Sequence, residues 1–330
     1  MNNPLRASFR ISTGVLMLLL LAGTASGQWA SESFHLSNGW NAIYLRGTPY
    51  PVDLDSQFAS LPIRSAHRNY LHYDTSQFVE SSGDLPTRGT EWLVWYPASS
   101  PHRLLTTLWN LSGNGAYLID CYSNCTWAPK GVPVVPARVW LPNTWNLVGL
   151  PVNPGSEVTF VDYFRNAHNI DVSPSPAGGK VYRTLPSGQQ QDITSQTAIL
   201  AMNPLEAYWI LTQGLSAYIG SVFVRATMGA LQYPAGVSSN SFTIRNAHGP
   251  AQQVAVRQIS SEAPPDGATP RVGDVPLLHF DYDEEDGRYE WLPLDLGTSL
   301  TRSLASNEQW TITLAVDRSA LSEPSPTNAT

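Results

Sequence analysis

The chain has 330 residues, of which 42% are apolar, 10% aromatic and 14% charged, with 24 glycines and 26 prolines. A composition so aromatic and so weakly charged excludes a disordered polymer and can fill two or three cores of ordinary domain size. Net charge is −7, from 19 basic and 26 acidic residues, and no basic run occurs, so a nucleic-acid backbone has no electrostatic footprint here.

Residues 1–27 carry Arg6 and Arg10, then a leucine-rich apolar stretch from Val15 to Ala22, then the small residues of Ala25-Ser-Gly27. This is the pattern of a secretory signal peptide, and the apolar stretch is too short to span a bilayer. The expectation is export to the medium or the cell surface, with no transmembrane span after signal removal.

Self-similarity organises the chain from Phe34 to about Val224. Leu36, Asn38, Trp40, Asn41, Leu45 and Pro49 recur at an offset of 105 as Leu141, Asn143, Trp145, Asn146, Leu150 and Pro154. Arg64, Ala66 and His67 recur at 101 as Arg165, Ala167 and His168; Ala116, Tyr117 and Ile119 recur at 91 as Ala207, Tyr208 and Ile210. The kept order predicts a duplicated module, 28–140 with an insertion and 141–230 without. Trp40, Asn41 and Tyr117 define one copy; Trp145, Asn146 and Tyr208 define the other. Each copy reads as β. After the Trp-Asn pair, Ile43 and Leu45 point one way and Trp40, Ala42 and Tyr44 the other, so the strand should be covered on both faces. Phe58 to Arg64 and Phe160 to His168 suit a short helix or turn, and Tyr70 to Tyr73 and Val181 to Arg183 suit further strands.

Two features of the first module invite chemistry. Trp92, Trp95, Tyr96 and Trp109 form a candidate carbohydrate-binding set, with core packing as the alternative. Cys121 and Cys125 bracket Tyr-Ser-Asn, and an oxidising compartment would let them close a small disulfide clip if the chain turns tightly there.

Residues 231–321 alternate with a period of two. Trp310, Ile312, Leu314 and Val316 form one strand, and Leu278, Phe280 and Tyr282 form another, which Asp286-Gly287 turns back through Tyr289 and Trp291. This predicts an antiparallel sandwich of immunoglobulin or fibronectin kind. Asp281, Asp283, Glu285 and Asp286 are candidate calcium ligands, since calcium takes hard oxygens around a sharp bend; a solvated hairpin tip is the alternative. No other cofactor is indicated. Residues 322–330 read as a Ser/Pro/Thr linker.

The segments running from Leu36-Ser-Asn-Gly-Trp-Asn and from Leu141-Pro-Asn-Thr-Trp-Asn, each with an Ala-Tyr-x-Ile strand later on, resemble the "GWNLISLP" modules of exported multi-domain bacterial surface proteins. The resemblance spans Phe34 to about Val224, implies β-rich extracellular modules in adhesion or scaffold roles, and carries no catalytic residues. Zinc-protease, nucleophile-elbow, P-loop and dinucleotide motifs do not occur. The expected whole is an all-β, exported, non-enzymatic protein whose partner is an extracellular protein or polysaccharide. A carbohydrate-binding protein using the first module's aromatics and a secreted hydrolase with an unrecognised carboxylate site are the alternatives.

Overall fold

The computed structural model describes residues 29–69, 92–226, 231, 233–234, 236–247, 249–268, 275–283 and 287–321. The expected signal peptide, the strand at Tyr70 to Tyr73 and the linker from Ser322 lie outside them. Strands make up 43% of the structure and helix 6%, so the fold class is all-β.

The first unit opens with β1 (Ala30–Ser31), β2 (Phe34–Leu36), β3 (Gly39–Leu45), β4 (Gly47–Pro49) and helix α1 (Leu54–Phe58). It continues through β5 (Ile63–Asn69), β6 (Trp92–Trp95), β7 (Gly115–Cys121), β8 (Cys125–Trp127) and β9 (Lys130–Pro133). Its main sheet is antiparallel, in the order β3-β7-β5-β6. The second unit holds β10 (Trp145–Gly149), α2 (Phe160–Phe164), β11 (Val181–Thr184), β12 (Gln190–Asp192) and β13 (Ala207–Leu211), in the order β10-β13-β11-β12. Strand for strand, the two orders are the same.

The agreement extends to single hydrogen bonds. Asn41 lies opposite Ile119 and Ile43 opposite Tyr117, just as Asn146 lies opposite Ile210 and Val148 opposite Tyr208. The Tyr117 hydroxyl accepts the Ser112 N–H at 2.9 Å, and the Tyr208 hydroxyl accepts the Asn203 N–H at 3.0 Å, five residues back in each case. Asp53 caps α1 by accepting the Ser56 N–H, and Thr159 caps α2 by accepting the Asp162 N–H, each satisfying a donor that a helix start leaves orphaned. One expected match fails. Ala66 and His67 pair with Ile119 and Leu118 where Val181 and Tyr182 pair with Ile210 and Trp209, so His67 corresponds to Tyr182. His168 sits in the turn after α2.

Alternation then builds four layers. Ile43, Leu45, Ala66, Trp95, Tyr117 and Ile119 face Leu54 and Phe58 of α1. The opposite face carries Ala42, Trp92, Val94 and Leu118, which pack on Leu147, Ala207 and Trp209 of the second sheet. Val148, Val181, Tyr208 and Ile210 on that sheet's far face cover Phe160 and Phe164 of α2. Both sheets are therefore apolar on both faces, and β3 is covered on both sides as its sequence requires. The free edge of β3 is capped by the second unit: the Trp40 N–H donates to Pro186 O at 2.9 Å and the Tyr44 N–H to Leu205 O at 2.8 Å. The closest approach is at Gly149, where an added Cβ would fall 1.8 Å from Cγ of Tyr44.

The third unit is sandwich-like. β14 (Val222–Ala226), β15 (Ser239–Asn246), β16 (Gln252–Arg257), β17 (Leu277–Asp283), β18 (Arg288–Leu294), β19 (Ser299–Leu304) and β20 (Gln309–Val316) form a sheet β14-β15-β20-β17-β18 and a pair β16-β19. Phe242, Ile244, Leu294, Leu304, Ile312 and Leu314 make its core. Because β14 pairs with β15, this unit begins before Leu231, where the change of sequence pattern places its start. Its Pro-rich loop docks on the first unit, where Ser31 donates its N–H to Glu262 at 2.9 Å and the Tyr50 hydroxyl donates to Gly267 O at 2.9 Å.

Candidate functional site

The aromatics expected to bind sugar mostly belong to the core. Trp92, Trp95 and Tyr96 are 3%, 2% and 7% exposed, because β6 lies within a two-faced sheet and both of its faces are covered. A buried ring cannot stack on a ligand from solvent, so this set is corrected to a packing role. Only Trp109 of the four is exposed, and the Arg103 guanidinium lies over its ring at 4.8 Å, held there by Asp55 at 2.6 Å. Trp92 and Tyr96 instead surround His67, which also meets Trp40 at 5.2 Å between ring centroids. Burial without a charged partner pulls the His67 pKa down to about 4, and its Nδ1 has no partner.

Cys121 and Cys125 end β7 and begin β8 around the expected tight turn, as free thiols. Burial and the neighbouring Cys125 push the Cys121 thiol up to about 12. Of the candidate calcium ligands, Asp281 is exposed, its carboxylate 3.8 Å from His279 Nδ1. Glu285 and Asp286, and the side chain of Asp283, lie outside the described residues. Among the described residues, no three His, Cys, Asp or Glu side chains cluster as a metal site.

A groove of about 470 Å³ runs between the first two units past Phe34, His35, Trp40, Pro186, Arg183 and Glu206. Its carboxylate is held by three bonds: Arg183 donates to both Glu206 oxygens at 2.7 and 2.8 Å, and the Tyr208 hydroxyl donates to one of them at 3.0 Å. Such a network holds the groove wall in place.

The β17–β18 hairpin carries the most unusual surface. Phe280 lies opposite Trp291 and Tyr282 opposite Tyr289. Face parity passes across the ladder from Leu314, which is in the core, to its partner His279 and on to Leu292, so Phe280, Tyr282, Tyr289 and Trp291 must face outward. They are 40–68% exposed and form one continuous cluster. Ring centroids of Trp291 and Phe280 are 5.2 Å apart, Phe280 and Tyr289 5.9 Å, and Tyr289 and Tyr282 5.3 Å. β17 pairs with β20 over Leu277 to His279, so from Phe280 onward the hairpin stands off as a two-stranded ribbon. The reverse face carries Asp281, Glu290 and Arg288, the last two 3.1 Å apart. The ribbon thus turns its charges toward the sandwich side and its aromatics away from it, the inverse of what folding alone favours.

Comparison with protein-family models, curated proteins and solved structures returns no match. Among the described residues, no helix is long and apolar enough to cross a membrane.

Proposed function

We propose that this chain is an exported, non-enzymatic modular β-protein that serves as an extracellular interaction or scaffold element. In this reading a signal peptide directs export, the first two units are duplicated copies of one "GWNLISLP"-type module, and an immunoglobulin-like sandwich comes after them. The duplicated pair is a rigid stem, supported by shared strand order, shared register and a common inter-sheet core. The sandwich is the contact-making end. One observation carries this assignment: four half-exposed aromatic rings clustered on the outward face of a projecting ribbon, where solvent alone would select polar side chains.

The test is retention of the purified chain on extracellular polymer-rich material from the producing cells. Wild type is expected to be retained, and Trp291→Ala combined with Tyr289→Ala to be released while keeping its unfolding temperature. Equal retention of both would refute the assignment.

A further inference from the structure

The ribbon's outward face limits what can occupy it. It is uncharged from Leu278 and Pro293 at the base through Phe280, Trp291, Tyr282 and Tyr289, on a chain of net charge −7. The rings themselves therefore offer no charge to a polycationic or polyanionic partner. The exposed area is small. Four rings, each burying about 150–250 Å² when fully covered and here about half exposed, offer about 400 Å². A stable protein partner or a second copy needs about 800 Å² on each side. The face is therefore too small to hold a macromolecular partner by itself and large enough for a short stretch of a linear ligand.

Its layout is compact. Successive outward pairs along a strand are roughly 7 Å apart at about 3.4 Å per residue, so the cross-strand pairs Phe280–Trp291 and Tyr282–Tyr289 make a patch two rings wide and two rings long. Within those pairs the rings are tilted by 57° and 65° to each other, while Phe280 and Tyr289 differ by 20°. Rings so far from coplanar suit a single twisted chain better than a flat crystalline surface. The two tyrosines place hydroxyls beside apolar ring faces. Beyond them the same sheet face continues as hydroxyls, with Ser241 and Thr313 2.8 Å apart and Thr243 and Thr311 3.1 Å apart. Apolar plates bordered by uncharged hydroxyls complement the alternating C–H faces and hydroxyl rims of a sugar ring.

From this we infer that the outward face of the β17–β18 ribbon is a binding site for two or three units of a soluble, uncharged polysaccharide chain. This inference rests on the reading of that face as the contact surface and names its ligand class.

Affinity electrophoresis of the whole chain tests it. The probes are hydroxyethylcellulose, soluble starch, galactomannan and laminarin, with alginate and heparin as anionic comparators. At least one neutral polymer should retard the wild type, with little dependence on salt. Trp291→Ala and Tyr289→Ala should each weaken that binding about tenfold. Trp109→Ala, which removes an exposed ring elsewhere, should leave it unchanged. Tyr289→Phe keeps the ring and is expected to retain most of the binding, which separates stacking from misfolding. No retardation by any neutral polymer, retardation by the anionic polymers alone, or equal retardation of Trp291→Ala and wild type would overturn the proposal. If no polymer binds but the double variant is still released from extracellular material, the contact face stands and its glycan assignment falls. Sedimentation showing self-association that Trp291→Ala abolishes would assign the face to a second copy instead.

Discussion

Asn146 and Asn41 occupy matching places, and replacing each with alanine should have unequal cost. Asn146 is fully buried: its Oδ1 accepts the Leu141 N–H at 2.8 Å, and its Nδ2 reaches Leu141 O at 3.2 Å, Thr144 O at 3.1 Å and Thr212 Oγ1 at 3.3 Å. Alanine strands the buried Leu141 N–H, a loss of about 1–3 kcal/mol, and removes two donors worth about 1 kcal/mol each. Thr212 still donates its one hydroxyl proton to the Leu141 carbonyl, with the Thr144 carbonyl as its more distant acceptor, which reduces the second part. The expected total is about 3 kcal/mol for Asn146→Ala. Asn41 makes the same kind of clamp on Ser37, Gly39 and Ile119, but its Ser37 bonds are exposed. Water replaces those, so Asn41→Ala should cost about 1 kcal/mol. Urea unfolding monitored by tryptophan fluorescence measures both. Equal losses, or a larger one at Asn41, would refute the claim that burial of this clamp sets its worth.

Three further outcomes are expected. His67 keeps a pKa of about 4 when folded and regains about 6.5 when unfolded, so between those values the unfolded chain binds the extra proton. Stability is then full above about pH 6.5 and falls by about 3 kcal/mol as pH drops toward 4, and urea midpoints of His67→Leu should lack that slope; the same slope in the variant would contradict it. Asp171, held near 2 by Lys180, adds its own loss only at lower pH, below its ordinary carboxylate range. Gly149→Ala drives a methyl into the Tyr44 ring and should cost about 1–3 kcal/mol or more in thermal unfolding, whereas an unchanged melting temperature would show that the sheets are not pressed together there. Diamide treatment of the native chain should remove two hydrogens by joining Cys121 to Cys125 and add at most about 2 kcal/mol, checked by intact mass and urea midpoint; a mass unchanged under native conditions would rule out the clip.

Much of the architecture was legible because it depends on local pattern. The Trp-Asn pairs mark a strand start, since the asparagine amide returns to the preceding backbone in both units. Where Pro142 replaces Ser37 and lacks an N–H, the acceptor Oδ1 takes the Leu141 N–H instead. The period of two located the β17–β18 hairpin, and the three-residue spacing of the cysteines matched a real turn. Side choice was not legible. Trp92 and Trp95 point to opposite faces of β6; α1 covers Trp95, and only the docking of the second sheet covers Trp92. Phe280 and Trp291 form the more apolar side of their hairpin and would be assigned inward; pairing with β20, fixed by residues far along the chain, sends them outward. The mismatch of His67 and His168 has the same origin, because sequence identity at an unchanged offset conceals the different loops between α1 and β5 and between α2 and β11.

The decisive measurement is hydroxyl-radical footprinting of the intact chain, read by mass spectrometry, with and without whichever neutral polysaccharide retards it. Reduced oxidation is expected at Phe280, Tyr282, Tyr289 and Trp291, with unchanged oxidation at the exposed Trp109 and at Leu104, a first-unit side chain open to solvent. Protection centred on Trp109 or on the groove at Trp40, with the ribbon rings still reactive, would contradict this.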